Sequence, residues 1–220
     1  EHSYFGQELM LRSWAIGKLR LMAHNSQTPA DQFVCEDSFS NWPNQENKFD
    51  LVIANPPFNL RLPDYLKELE PNIRTIEQFF IQKGINSLNN NGKLITLLPV
   101  GFLFKGGREK ALREKLIEQD LIDSVISFPG GLFQHTGIPF VILVIDKAKK
   151  SKGQVRFIDA KNSIYSRNTR DKFLNDYELN RIFNDRKQAS NAVRIVENRE
   201  IVEADYNLNV PRYFQKEIEG

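Results

Sequence analysis

The residues of this 220-residue chain best suited to chemistry are an asparagine, two prolines and an aromatic, Asn55-Pro56-Pro57-Phe58. The Asn carboxamide oxygen accepts a hydrogen bond, and the Pro56 carbonyl beside it is a second acceptor. Two converging acceptors suit a planar amino group with two N–H donors. They draw its protons and keep electron density on the nitrogen, which can then attack an electrophilic carbon. Phe58 offers a ring on which the flat system carrying that amine can stack. An exocyclic amine on a purine meets this description. The bland alternative is a strand-ending Pro-Pro turn that happens to carry Asn and Phe.

The element in front of this group gives it its position. Leu51-Val52-Ile53-Ala54 is a short apolar run rich in β-branched residues, the pattern of a strand buried on both faces. Neither proline can donate to a sheet ladder, so the strand stops at Asn55. The carboxyl end of a buried strand is where open α/β sheets bind ligands.

Composition narrows the rest. A length of 220 residues and a hydrophobic fraction of 40% indicate one large soluble domain, or a core with an appendage. The net charge of +2 is too mild to mark a nucleic-acid module by itself. The single cysteine, Cys35, excludes an internal disulfide, is compatible with a cytoplasmic setting, and reads as a small buried residue. It is not preceded by proline, which disfavours the Pro-Cys nucleophile of cytosine-C5 methyltransferases. No apolar run has the length of a membrane span. One cysteine and three scattered histidines give no metal-ligand spacing.

The remaining pattern alternates strands and helices. Residues 3–8 predict a strand ending in the acid Glu8. A helix follows, with Leu9, Leu11, Ala15, Leu19 and Met22 as its apolar positions. A strand ending in an acid and leading into a helix is the second βα unit of a dinucleotide-type fold, where the acid accepts from ribose hydroxyls; the alternative for Glu8 is a surface acid favoured by the dipole at a helix start. Residues 33–35 predict another strand, which Glu36, Asp37 and Ser38 leave. Asp37 and Ser38 also suit an ordinary turn or helix cap. Residues 59–72 read as a polar loop and 75–88 as a helix. Asn89-Asn90-Asn91-Gly92 reads as a stop and turn, and 94–99 as a buried strand. A charged helix is expected over 108–119. Strands over 121–129 and 139–146 are expected to pair antiparallel, with Phe133, His135 and Thr136 in their connection. Phe133 suits either a face for an extruded base or packing on its own hairpin. Lys147 to Arg156 reads as a basic turn, solvated or in contact with phosphate. A strand over 155–160, a helix over 176–186 and the strands and turns up to Tyr213 complete an appendage.

The chain resembles the adenine-N6 DNA methyltransferase (modification) subunits of type I restriction systems. The resemblance runs from Tyr4 to Phe214. It rests on NPPF, on NNNGKLITLLPVGFLFKGG, on REKLIEQDLIDSVISFPGGLFQHTGIPFVILVIDK and on the ending YNLNVPRYF. It implies an α/β, Rossmann-like fold with a mostly parallel sheet closed by an antiparallel hairpin. Residues 1–147 would form the methyltransferase core and 148–220 a C-terminal extension. It implies S-adenosylmethionine as cofactor, with Glu8 on its ribose and Asp37, next to Ser38, near its adenine. Asn55, Pro56, Pro57 and Phe58 would carry catalysis. DNA, a specificity subunit, a second modification subunit and a restriction subunit are the implied partners. No G-x-G follows a strand ahead of Glu8. The chain is therefore expected to lack the first strand and its glycine loop, to be a fragment, and to bind cofactor weakly on its own. The same motif also serves methylation of guanine N2 in RNA and of glutamine in protein. A non-catalytic docking remnant of the fold is the third reading.

Overall fold

The computed structural model describes residues 3–24, 32–43, 46–58, 60–133, 137–166 and 172–214. His135 and Thr136 lie outside these. The chain divides into one unit of Glu1–Gln45 with Pro63–Pro71 and another of Glu46–Leu62 with Asn72–Gly220.

The smaller unit holds β1 (Gly6–Gln7), α1 (Leu11–Ala23), β2 (Phe33–Val34) and α2 (Asp64–Leu69). β1 and β2 pair in parallel, Gly6 opposite Phe33 and Gln7 opposite Val34. Phe33 sits so close that a Cβ on Gly6 would meet its ring at 2.3 Å, and one on Gly17 of α1 at 2.8 Å. Both positions need glycine for that reason. The Trp14 indole N–H donates to the Phe33 carbonyl at 2.8 Å. The helix is apolar on two faces. Trp14, Gly17 and Leu21 are half-buried, whereas Leu11, Leu19 and Met22 of the predicted stripe are more than 60% exposed. Periodicity located the helix but not the face that packs. Cys35 is exposed, contrary to expectation, with its thiol directed at the Leu9 carbonyl. The predicted loop over 59–72 contains α2.

The larger unit is built on a six-stranded sheet. Its strands are β3 (Phe49–Ala54), β4 (Leu88–Pro99), β5 (Ile122–Phe128), β6 (Phe140–Asp146), β7 (Gln154–Asp159) and β10 (Val193–Glu197). Their spatial order is β10-β7-β5-β6-β4-β3. The pairs β3–β4 and β5–β7 are parallel, and β4–β6, β5–β6 and β10–β7 are antiparallel. The sheet is thus mixed rather than mostly parallel as expected, because the β5–β6 hairpin lies at its centre and β10 is added antiparallel at one edge. A small hairpin of β8 (Ile164–Ser166) and β9 (Lys172–Leu174) stands apart. α3 (Ile76–Ser87) is opened by a capping box: the Thr75 hydroxyl accepts from the Gln78 N–H, and the Gln78 side chain returns to the Thr75 N–H. α4 (Arg108–Glu118), α5 (Asp176–Phe183) and α6 (Asn198–Glu203) complete the unit.

Two apolar clusters sandwich this sheet. One gathers Leu94, Leu98, Val125, Leu143 and Phe157 under residues of α3, α4 and α6. The other gathers Ile126, Phe128, Phe140, Ile158 and Val193 with Leu179 and Ile182 of α5. The alternation follows from the period-2 pleat. Two expectations fail here. Asn89-Asn90-Asn91-Gly92 is not a turn but part of β4. A register shift, from Phe49 opposite Leu88 to Leu51 opposite Lys93, takes up the extra residues as a bulge. A Cβ on Gly92 would lie 2.7 Å from the Phe49 carbonyl oxygen, so the bulge requires glycine there. β3 is not buried on both faces. It is the edge strand among the described residues, and Leu51 and Ile53, which share one face, are 48% and 69% exposed.

Candidate functional site

Register places the asparagine. Ala54 pairs with Thr96 in the parallel β3–β4 ladder, so Asn55 is the first residue past the carboxyl end of β3, beside the last turn of β4. Asn55 and Pro57 are exposed and Pro56 is buried. One proline anchors the turn while the carboxamide faces out. No described group hydrogen-bonds to the Asn55 side chain, which leaves its oxygen and amide available to a ligand.

Phe58 is half-buried and packs against the second apolar cluster. That cluster carries three rings from the ends of the central hairpin. Phe128 and Phe140 are stacked with centroids 5.1 Å apart, and Phe133 tilts onto Phe140 at 4.8 Å. Phe133 thus packs on its own hairpin. Phe128 and Phe140 were read in the sequence only as strand residues. Their position facing each other at the carboxyl end depends on hairpin register (Phe128 opposite Phe140), which periodicity does not give.

The predicted acids sit together in the smaller unit, at the carboxyl ends of β1 and β2. Glu8 continues the ladder, donating its N–H to the Val34 carbonyl at 3.2 Å and accepting from the Glu36 N–H at 3.1 Å. Its Oε1 accepts from the Met10 N–H at 2.7 Å, which fixes the carboxylate and leaves Oε2 open. Asp37 makes the turn weighed for it in the sequence. Its Oδ1 closes a turn on the Phe39 N–H at 2.9 Å, and Oδ2 accepts from the Tyr65 hydroxyl at 3.3 Å. Burial and the Asp37 charge push the Tyr65 hydroxyl above its ordinary range, so it stays a donor. The Ser38 hydroxyl donates to Gln7 Oε1 at 3.2 Å, and Gln7 Nε2 donates to the Asn41 carbonyl at 2.7 Å. Gln7 and Tyr65 were not singled out from the sequence. Tyr65 lies 28 residues from its partner, and only the tertiary fold brings them together.

The basic turn after β6 is at the other end of the sheet. Lys149 is buried, contrary to a solvated or phosphate-binding reading. Its ammonium donates to Asp120, to the Ile122 carbonyl at 3.0 Å and to the Gln154 carbonyl at 2.8 Å. Desolvation alone would raise the Asp120 carboxyl. Hydrogen bonds from Lys149, the Gly153 N–H and Asn198, with the Lys149 charge, outweigh it and hold the group below the usual range. Lys147 donates to the Leu88 carbonyl at 2.7 Å. These lysines close the amino end of the sheet and are not part of a ligand site.

Among the described residues, no group of His, Cys, Asp or Glu is placed to hold a metal, and no helix is long and apolar enough to cross a membrane. The N-6 DNA methylase family model matches residues 1–220. The chain is 27% identical to the type I restriction enzyme MpnII methylase subunit of Mycoplasma pneumoniae, over 99% of its own length and 44% of that protein. It is 29% identical to the MjaVII methylase subunit of Methanocaldococcus jannaschii, over 95% of this chain and 40% of the relative. Among solved structures, the methyltransferase subunit of a type I restriction-modification system from Streptococcus thermophilus superposes with a TM-score of 0.83 at 28% identity. That match covers 97% of this chain and 48% of that one. The chain thus spans less than half the length of these relatives.

Proposed function

Because the chain belongs to the N-6 DNA methylase family, we propose that it is the catalytic part of a type I modification methyltransferase. Its reaction is transfer of a methyl group to N6 of adenine in DNA. One observation carries this reading: Asn55 stands exposed at the carboxyl end of β3, on a turn anchored by buried Pro56, next to Phe58 on an aromatic cluster. The target base leaves the duplex to reach such a site. Asn55 Oδ1 and the Pro56 carbonyl accept the two N–H groups of the adenine amine, Pro57 stiffens the turn, and Phe58 stacks on the ring. The amine nitrogen forms the new bond to the methyl carbon as the carbon–sulfur bond breaks, and its proton passes to water. No covalent bond to the protein is needed. The rate comes from holding amine and methyl in line.

Bound S-adenosylmethionine supplies the electrophilic methyl on its sulfonium. The carboxylates fit that group: Glu8 keeps one oxygen open for ribose hydroxyls. Asp37, oriented by Phe39 and Tyr65 and flanked by Ser38, retains acceptor capacity for the adenine amino group.

The finer fold reading is a Rossmann-like methyltransferase sheet with a further strand and glycine loop beside β3, outside the described residues. The unpaired edge of β3 and exposed Leu51 and Ile53 support it. Residues 1–147 form the core and 148–220 an extension. On this reading the 220-residue chain alone transfers no methyl. The full-length protein works with a specificity subunit, a second modification subunit and a restriction subunit. The family match supports adenine over guanine N2 or glutamine as the acceptor. The test is incubation of the full-length protein and specificity subunit with S-adenosylmethionine and duplex DNA, then digestion and mass spectrometry. N6-methyladenine is the expected product. Its absence, with methylated RNA or protein instead, overturns the reading.

A further inference from the structure

β4 ends beside the Asn55 turn and runs into an exposed tip. Ala54 pairs with Thr96, so β4 continues three residues beyond the end of β3, to Pro99, on the side where Asn55 stands. A 3-10 turn, Val100–Leu103, follows, and then Phe104, Lys105, Gly106, Gly107 and Arg108 are all exposed. Phe104 is 50% exposed, unusual for a large apolar side chain.

The tip is anchored where it leaves the 3-10 turn. Phe102 and Leu103 are buried, the Arg113 guanidinium donates to the Phe102 carbonyl at 2.6 Å, and the Leu208 N–H donates to the Leu103 carbonyl at 2.9 Å. Gly101 has no side chain, and the Lys105 stem lies over it, with Cε only 2.9 Å from where a Cβ would be.

Its cations differ from others at this end of the sheet. Lys161 is paired with Asp159 at 3.0 Å and Arg181 with Glu178 at 2.9 Å. Lys105 and Arg108 form no ion pair among the described residues. The tip therefore presents two uncompensated cations and an exposed ring on a rigid base, next to the site proposed to receive an extruded adenine.

We infer that Phe104–Arg108 grips the sugar–phosphate backbone of the strand that delivers the target base. Lys105 and Arg108 each neutralise a phosphate, and Phe104 packs on the adjoining sugar. The inference rests on the reading of Asn55 above, and its test is independent of turnover.

Full-length protein, purified with its specificity subunit, is titrated with a fluorescein-labelled random-sequence duplex across a series of salt concentrations. Lys105→Gln with Arg108→Gln should weaken binding roughly tenfold. It should also flatten the slope of log affinity against log salt by about two units, close to one per lost phosphate contact. Phe104→Ala should weaken binding severalfold with the slope unchanged. Thermal unfolding and S-adenosylmethionine affinity should match wild type in all variants. Unchanged affinity and slope overturn the inference, as does failure of wild type to bind the duplex. Dissociation of the specificity subunit from the double variant also overturns it, in favour of a protein contact. If wild type binds DNA and the double variant does not, yet no N6-methyladenine forms, the tip stands and the methylation reading falls.

Discussion

The two units of this protein are built in different ways. The larger has both faces of the inner strands of its sheet covered, with residues such as Leu94, Leu98, Leu143 and Phe157 fully enclosed. In the smaller, Leu66 is the one buried residue among those described, and the apolar stripe Leu11, Leu19 and Met22 faces solvent. It is stitched by polar contacts: Trp14 to Phe33, Ser38 to Gln7, Gln7 to Asn41, Tyr65 to Asp37. Such bonds contribute about 1 kcal/mol each, whereas a buried Leu or Phe contributes about 1.5–3. The asparagine turn thus stands on a scaffold with its own core, while the acids stand on a frame with little burial of its own. The proposed function gives these units different roles: the larger would fix the geometry of the reacting amine, and the smaller would hold cofactor.

The largest expected effect tests that assignment at the chemistry. Asn55→Ala in the full-length protein should reduce methyl transfer by about a thousandfold, the scale set by loss of a preorganised polar contact to the reacting group. Single-turnover transfer of labelled methyl to DNA measures it.

A second prediction probes the scaffold. Lys149→Met leaves Asp120 without its buried partner and should destabilise the larger unit by about 3–5 kcal/mol. Urea unfolding followed by tryptophan-independent circular dichroism reads this. A loss under 1 kcal/mol would mean the Lys149–Asp120 pair is not part of the core.

A third concerns alkaline pH. Burial pushes the Tyr213 hydroxyl up to about 12, against about 10 in an unfolded chain. A group whose folded pKa is raised gives its full stabilising share below the unfolded value and loses it as pH rises through the folded one. Wild type should therefore lose about 2–3 kcal/mol between pH ~10 and ~12 that Tyr213→Phe, which cannot ionise, does not lose. Parallel alkaline unfolding curves for the two proteins would contradict the burial of this residue against Phe157, whose ring stacks on it at 4.2 Å.

What could be read in the sequence follows the same divide. In the larger unit the β-branched runs, Pro-Pro punctuation and antiparallel hairpin were all legible, because local pattern and tertiary packing agree there. The helix over 75–88 was legible, but the capping box of Thr75 with Gln78 that opens it was not read there. The bulge at Asn89–Gly92 was not legible, since Asn-Asn-Gly favours turns and only pairing with β3 makes it a strand. Nor was the fate of Lys149. Its acid, Asp120, lies 29 residues earlier, and nothing local distinguishes it from the exposed lysines beside it. In the smaller unit the strand–acid–helix order was readable, but not which face of α1 packs, because both faces are apolar. The Tyr65–Asp37 bond, formed across 28 residues, left no local signal.

The division of labour is tested most directly by isothermal calorimetry of S-adenosylmethionine into full-length wild type, Asn55→Ala and Glu8→Ala. Asn55→Ala should bind within about twofold of wild type, and Glu8→Ala roughly tenfold more weakly, the loss of one or two hydrogen bonds to a charged acceptor. Equal loss of cofactor affinity in both variants, or none in Glu8→Ala, would contradict the assignment of catalysis to one unit and cofactor binding to the other.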